Sequence, residues 1–222
     1  MGAITRSAAN NITTGGVILP AGINDASVAS ITELAQVSAG DGITLISSQT
    51  ASNSSSISFT SGIDSSYRTY IFKLINIYAR TNQTAFGFNF STDGGSNYNV
   101  TKTTTAFNAY HNEADNEATL QYDTSNHDLA QSTGDMRYVD WMDNASDMSM
   151  SGSIILFNPS STTFVKHFLS NVSSNRYQSY GGGFDFNYFI GGYCNTTSAV
   201  NAIIFRMSSG NFDGTIHLYG IE

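Results

Sequence analysis

Charge is scarce in this chain. Only 12% of its 222 residues are Asp, Glu, Lys or Arg, against roughly 25% in an ordinary globular protein. Lys and Arg total nine and the net charge is −8, which excludes the clustered cations that nucleic-acid phosphates demand. It equally excludes a coiled coil, which needs Glu, Lys, Arg, Leu and Ala in bulk. There is one cysteine, Cys194, so no disulfide can form within the chain, and a fold without bridges suits a reducing cytoplasm. No apolar run approaches the roughly 18 residues of a membrane span. Met1–Pro20 holds Arg6 but no apolar core, so it does not read as a secretory leader. Arg6 also stands where a myristoylation pattern requires Ser or Thr.

What replaces charge is small and polar: 31 Ser, 23 Thr, 21 Asn and 20 Gly. Hydrophobic residues still reach 40% and aromatics 12%, too many for a chain disordered throughout. At this length folding buries roughly 70% of the extended surface, so a core needs no staple.

Three zones follow along the chain. Residues 1–50 contain no Phe, Tyr or Trp and can bury little area by themselves. We read them as an extended anchoring arm, with Ser27–Gln36 as either a short helix or a strand. Residues 51–222 read as one β domain, with period-two patterning from Ile43 to Thr105 and further strands after Asp147. Tyr70–Tyr78 is apolar on both faces around Lys73 and Asn76, as in a buried strand. Ala85–Ser91 alternates strictly, with Phe86, Phe88 and Phe90 on one side. Thr92-Asp-Gly-Gly-Ser-Asn97 predicts a hairpin turn to a return strand over 98–105. Ser153–Phe157 and Thr163–Phe168 predict a hairpin around Pro159, and two more strands fall at 187–194 and 201–207. A last hairpin is expected to join Ile203–Met207 to Thr215–Tyr219. About ten strands and almost no helix signal predict an all-β, antiparallel two-sheet β-sandwich, jelly-roll-like, preceded by the arm. Residues 106–150 hold nine of the seventeen acidic residues and only Arg137 as a base; they read as a projecting loop or short flap.

Chemistry is poorly represented. No Gly-x-Ser-x-Gly and no phosphate-binding loop occurs. Cys194 sits in an apolar stretch and reads as a small buried hydrophobe. The four histidines, His111, His127, His167 and His217, share no ligand spacing. The acidic stretch offers carboxylates for calcium but no recognised ligand spacing, and a pair drawn from nine carries no information about glycoside hydrolysis. We therefore expect no catalytic residue, no cofactor and no metal. The Asn-x-Ser/Thr matches at Asn82, Asn99 and Asn195 are expected by chance in such a composition. Tyr177, Tyr180, Phe184, Phe186, Tyr188 and Tyr193 cluster among Gly and Asn, and read as sandwich core if buried. Exposed, Tyr177, Tyr180 and Tyr193 would be contacts for a partner or a glycan.

Several segments carry a resemblance. They are Met-Gly-Ala-Ile-Thr-Arg-Ser-Ala-Ala-Asn-Asn-Ile-Thr-Thr (1–14), Ser-Ile-Ser-Phe-Thr-Ser-Gly-Ile-Asp (56–64), Ser-Thr-Asp-Gly-Gly-Ser-Asn-Tyr-Asn-Val-Thr-Lys-Thr-Thr-Thr (91–105), Leu-Phe-Asn-Pro-Ser-Ser-Thr-Thr-Phe-Val-Lys-His-Phe (156–168) and above all Met-Ser-Ser-Gly-Asn-Phe-Asp-Gly-Thr-Ile-His-Leu-Tyr-Gly-Ile (207–221). Together they resemble the virion structural proteins of marine tailed phages, including those infecting cyanobacteria. The resemblance implies a non-enzymatic virion component assembled in the host cytoplasm, with no membrane or nucleic-acid partner. As a capsid decoration (cement) protein it would reach the major capsid protein through its arm, with Ile4, Arg6 and Ile12 as contacts, and a ring such as a homotrimer is expected. The alternative is a tail fibre or receptor-binding protein contacting host surface glycans.

Overall fold

The computed structural model describes residues 12–13, 16–17, 42–124, 126–145, 147–178 and 182–221, with the side chains of 12, 13, 16, 17, 177, 178 and 182 excepted. Residues 1–40 and 41–222 are separate units. In the first, β1 (Ile12–Thr13) pairs antiparallel with β2 (Gly16–Val17). Ile4, Arg6 and the Ser27–Gln36 segment of the expected arm lie outside the described residues, as does the side chain of Ile12.

The second unit is all β, with no helix among its described residues. Its strands are β3 (Ile43–Ser54), β4 (Ser56–Phe59), β5 (Thr69–Ala79), β6 (Thr84–Ser91), β7 (Lys102–Asn112), β8 (Ala118–Tyr122), β9 (Met136–Met142), β10 (Met150–Phe157), β11 (Lys166–Gln178), β12 (Gly182–Cys194), β13 (Ala202–Met207) and β14 (Phe212–Ile221). β3 takes residues 43–50 into the sheet, although they precede the first aromatic residue of the chain.

Two antiparallel sheets result, one of order β3-β14-β5-β10-β11-β12-β7-β8 and one of order β4-β13-β6-β9. Setting aside β7, β8, β11 and β12 leaves β3-β14-β5-β10 facing β4-β13-β6-β9. In that eight-strand remainder each step along the chain crosses to the other sheet, save β6 to β9, which are sheet neighbours. This is the double Greek key of a jelly roll. The four other strands are two hairpins, β7–β8 inserted between β6 and β9, and β11–β12 inserted between β10 and β13. Their inner strands β7 and β12 pair along eleven positions, so both insertions extend the same sheet beyond β10.

Aromatic rings fill the space between the sheets. Phe72 of the large sheet meets Phe59 and Phe205 of the small one at ring-centroid distances of 5.5 and 5.6 Å. Phe168 on β11 meets Phe88 and Phe90 at 5.5 and 5.6 Å. The alternation of Phe86, Phe88 and Phe90 thus points all three rings into the core, where they are fully buried. Each such ring contributes roughly 1.5–3 kcal/mol by leaving water.

Two expected hairpins are not hairpins. The turn at Asp93 does form: Gly94 and Gly95 take φ of 72° and 90°, and the Asp93 carboxylate accepts from Ser91 Oγ at 2.6 Å and from the Asn97 amide at 2.9 Å. Yet β6 pairs with β13 and β9, whereas β7 pairs with β12 and β8. Likewise β13 and β14 lie in opposite sheets. A turn signal fixes a reversal of direction, and a jelly roll uses that reversal to change sheets. The hairpin around Pro159 is real, with Ile155 opposite Leu169. The acidic stretch 106–150 is not one projection: it runs through β7, β8 and β9, and only β8 is exposed at every residue.

Candidate functional site

The inserted hairpins carry an apolar outer surface. Along β7 the residues facing the core are Lys102, Thr104, Ala106 and Asn108, all buried, and those facing outward include Phe107. Register carries one outward row across Tyr122, Phe107, Phe189, Asn171, Ser153, Lys73 and His217. The next row runs through Thr105, Gly191, Leu169, Ile155, Ile71 and Tyr219. Phe107 and Phe189 stack at 4.9 Å with 12° between planes. Beside them the bare backbone of Gly191 floors a depression of about 490 Å³ lined by Phe107, Ile155, Leu169 and Phe189. Leu169 is 53% exposed and Leu120, on the edge strand β8, 72%. These large apolar groups are exposed in adjoining rows rather than scattered singly.

Tyr193 lies on the same outer face, four residues along β12 from Phe189. It stands opposite His167 and Thr103, and its hydroxyl accepts from Gln131 Nε2 at 3.3 Å. Tyr180 and the side chain of Tyr177 lie outside the described residues. Phe184, Phe186 and Tyr188 are buried, as core rather than surface.

A second feature sits on the small sheet. Thr84 pairs with Met142 and Phe86 with Val139, so Asp140 and Trp141 together oppose Ala85 in a bulge. Bulges re-aim side chains, and here Trp141, at φ 65° and 59% exposed, is turned outward. It borders a cleft of about 380 Å³ with Gln83, Asn126, Arg137 and Asp140.

The groups that chemistry would use are held by neighbouring side chains. Asp135 pairs with Arg206, and Asp140 with Arg137 at 3.2 Å. His127 Nδ1 lies 3.1 Å from Asp123, which also accepts from Asn108 Nδ2 at 2.8 Å. Glu113, Asp147 and Asp185 line one polar cleft with His111, but no three His, Cys, Asp or Glu among the described residues are arranged to hold a metal. His167 and His217 occupy β11 and β14 as strand residues. Cys194 is fully buried between Lys102 and Lys166 in register.

Burial pushes the Cys194 thiol up to about 12, against the pull of both lysines. Burial also raises Tyr188 to about 12 and Tyr138 well above the ordinary phenol value. Native thiol and phenols keep protons that the unfolded chain loses from 9.0 and 10.0 upward, so they make stability fall as pH rises. Burial lowers Lys102 to about 8, and a free amine there works in the opposite sense until 10.5, its ordinary value. The expected result is a melting temperature that drops steeply between pH 10.5 and 12, and less steeply in Cys194→Ala; a flat profile to pH 12 would contradict the burial of these groups.

No family model matches the chain, and comparison with curated proteins and with solved structures returns no match.

Proposed function

We propose that the protein is a non-enzymatic structural component of a phage virion, most simply a capsid decoration protein held to the shell by its N-terminal residues. The observation that carries this reading is the outward apolar face around Phe107, Leu169 and Phe189 on a jelly roll built without disulfides. An exposed apolar face serves association, and a second copy of the same chain is the occupant we assign to it, giving the closed ring expected of many symmetric assemblies. Weak arms joined in such a ring bind a lattice by avidity.

Three measurements test this. In purified virions, a copy number equal to the major shell protein or a simple lattice fraction of it is expected; absence from the particle overturns the reading. The chain lacking residues 2–20 is expected to fold and no longer bind shells, and saturation of shells by that chain would sink the anchoring role. Leu169→Asp is expected to convert the oligomer to folded monomers by native mass spectrometry.

One observation favours the alternative, a tail fibre or receptor-binding protein. Trp141 beside Gln83, Asn126 and Arg137 offers a ring face and planar hydrogen-bonding groups, the furniture of a sugar site. That reading expects binding to host cells that is lost in Trp141→Ala, together with a copy number of a few per cent of the shell protein.

A further inference from the structure

Lys102 is fully buried on β7, and Asn89 is buried on β6. They belong to different sheets. Lys102 Nζ donates to Asn89 Oδ1 at 2.6 Å and to the Val100 carbonyl at 2.8 Å. The amide of Asn89 is oriented unambiguously by its neighbours. Its Oδ1 also accepts from the Phe90 N–H at 2.9 Å, while Nδ2 donates to the Thr133 carbonyl at 3.0 Å and to Asp135 Oδ1 at 3.1 Å. Arg206 holds Asp135 in turn through Nε at 2.7 Å and Nη2 at 2.8 Å.

This arrangement has the parts of an acyl transfer: an amine, an amide carbonyl, a donor on the carbonyl oxygen, and a carboxylate on the leaving nitrogen. A C=O bond is about 1.23 Å long, so Nζ lies no more than about 3.8 Å from Asn89 Cγ, near the ~3–3.5 Å of a near-attack contact. We propose that Lys102 and Asn89 become joined by an isopeptide bond between Nζ and Cγ, formed within the folded chain with release of ammonia. The inference is independent of the virion reading.

The step balances without a co-reactant. The Nζ lone pair of the neutral amine attacks Cγ and forms the new C–N bond. The carbonyl electrons move to Oδ1, where the Phe90 N–H stabilises the negative charge. Asp135 takes a proton from Nζ and gives it to Nδ2, since both nitrogens are then bound to one carbon. Cγ–Nδ2 breaks as the carbonyl reforms, and ammonia leaves. Burial favours the neutral amine, pulling Lys102 down to about 8, which activates a lysine as nucleophile. Burial alone would raise Asp135, but the bonds from Arg206 and Asn89 outweigh it and keep the carboxylate lowered, hence ionised and able to accept. Asp135 is the catalytic residue here and Arg206 positions it. The product ties the two sheets across the β6–β7 crossover.

The test is the intact mass of the purified full-length chain. A deficit of about 17 Da, one ammonia, is expected, mapping after trypsin to a single looped peptide, residues 81–137, that contains Asn89 and Lys102 and is uncut after Lys102. Lys102→Arg keeps a cation but no amine nucleophile and is expected at its full mass, as is Asn89→Ala. Asp135→Asn is expected to stay at full mass; an ammonia deficit in that variant would remove Asp135 from the mechanism. A folded wild-type chain at its full sequence mass after incubation at pH 9, or an ammonia deficit mapping to other residues, overturns the proposal.

Discussion

Replacing Phe205 by alanine is expected to lower the unfolding free energy by about 3–5 kcal/mol. Phe205 lies on β13, inside the small sheet and fully buried. Its ring meets four others: Phe59 at 6.3 Å, Phe72 at 5.6 Å, Phe86 at 6.2 Å and Phe88 at 6.4 Å. Phe72 comes from β5 of the large sheet, so the lost ring is one that joins the layers. The flanking strands are hydrogen-bonded on both sides of β13 and cannot collapse into the void, so the cavity cost adds to the transfer cost. Urea denaturation of the variant measures the loss. A shift below about 1 kcal/mol would mean that this core repacks freely, contrary to the two-sided pairing of β13.

Gly152→Val is expected to cost as much as any single substitution in the sheet, at or beyond the roughly 1–3 kcal/mol of ordinary overpacking. A Cβ at Gly152 would sit 2.3 Å from the Asn171 carbonyl oxygen and 2.6 Å from Val172 Cα. Both are backbone atoms of β11, the strand that β10 must hold to carry the inserted hairpins. The only relief is to move β10 and β11 apart, and that breaks the ladder. Gly191→Ala is the control. Its Cβ meets only Leu169 Cδ2 at 3.5 Å and Thr105 Cγ2 at 3.9 Å, ordinary contacts. There alanine is expected to be neutral or stabilising by about 0.4–1 kcal/mol through the unfolded chain. Thermal melts of the two variants should move apart, and equal shifts would refute the argument from close approach.

The all-β class and most strand positions were legible because aromatic alternation is a direct signal of a strand with one face inward. Phe86, Phe88 and Phe90 could hardly be read otherwise. Pairing was less legible. The Asp93 turn has the same chemistry whether the chain returns to its neighbour or crosses to the opposite sheet, so the sequence predicts a hairpin over 84–105 where the chain makes a crossover. The apolar outer face escaped the sequence reading for a different reason. On β7 the inward residues are Lys102, Thr104 and Asn108 while Phe107 faces out, so the alternation names the wrong face. Lys102 and Asn89 likewise have no local signal: thirteen positions apart, they are joined by the crossover alone. Cys194, by contrast, is legible as a buried small hydrophobe from its apolar surroundings, and it is fully buried.

The place of β14 has a consequence for how the protein is made. This strand lies between β3 and β5, and Thr50 meets Thr215 across 165 positions of sequence. Synthesis at about 5–20 residues per second leaves β3 and β5 without their shared neighbour for on the order of ten seconds. During that interval the apolar inner face of β5 is in solution beside an open ladder, and β3 lacks the strand it pairs with. The nascent chain, rather than the finished sandwich, is therefore where aggregation competes, and slowing translation before β14 would lengthen the exposure in proportion.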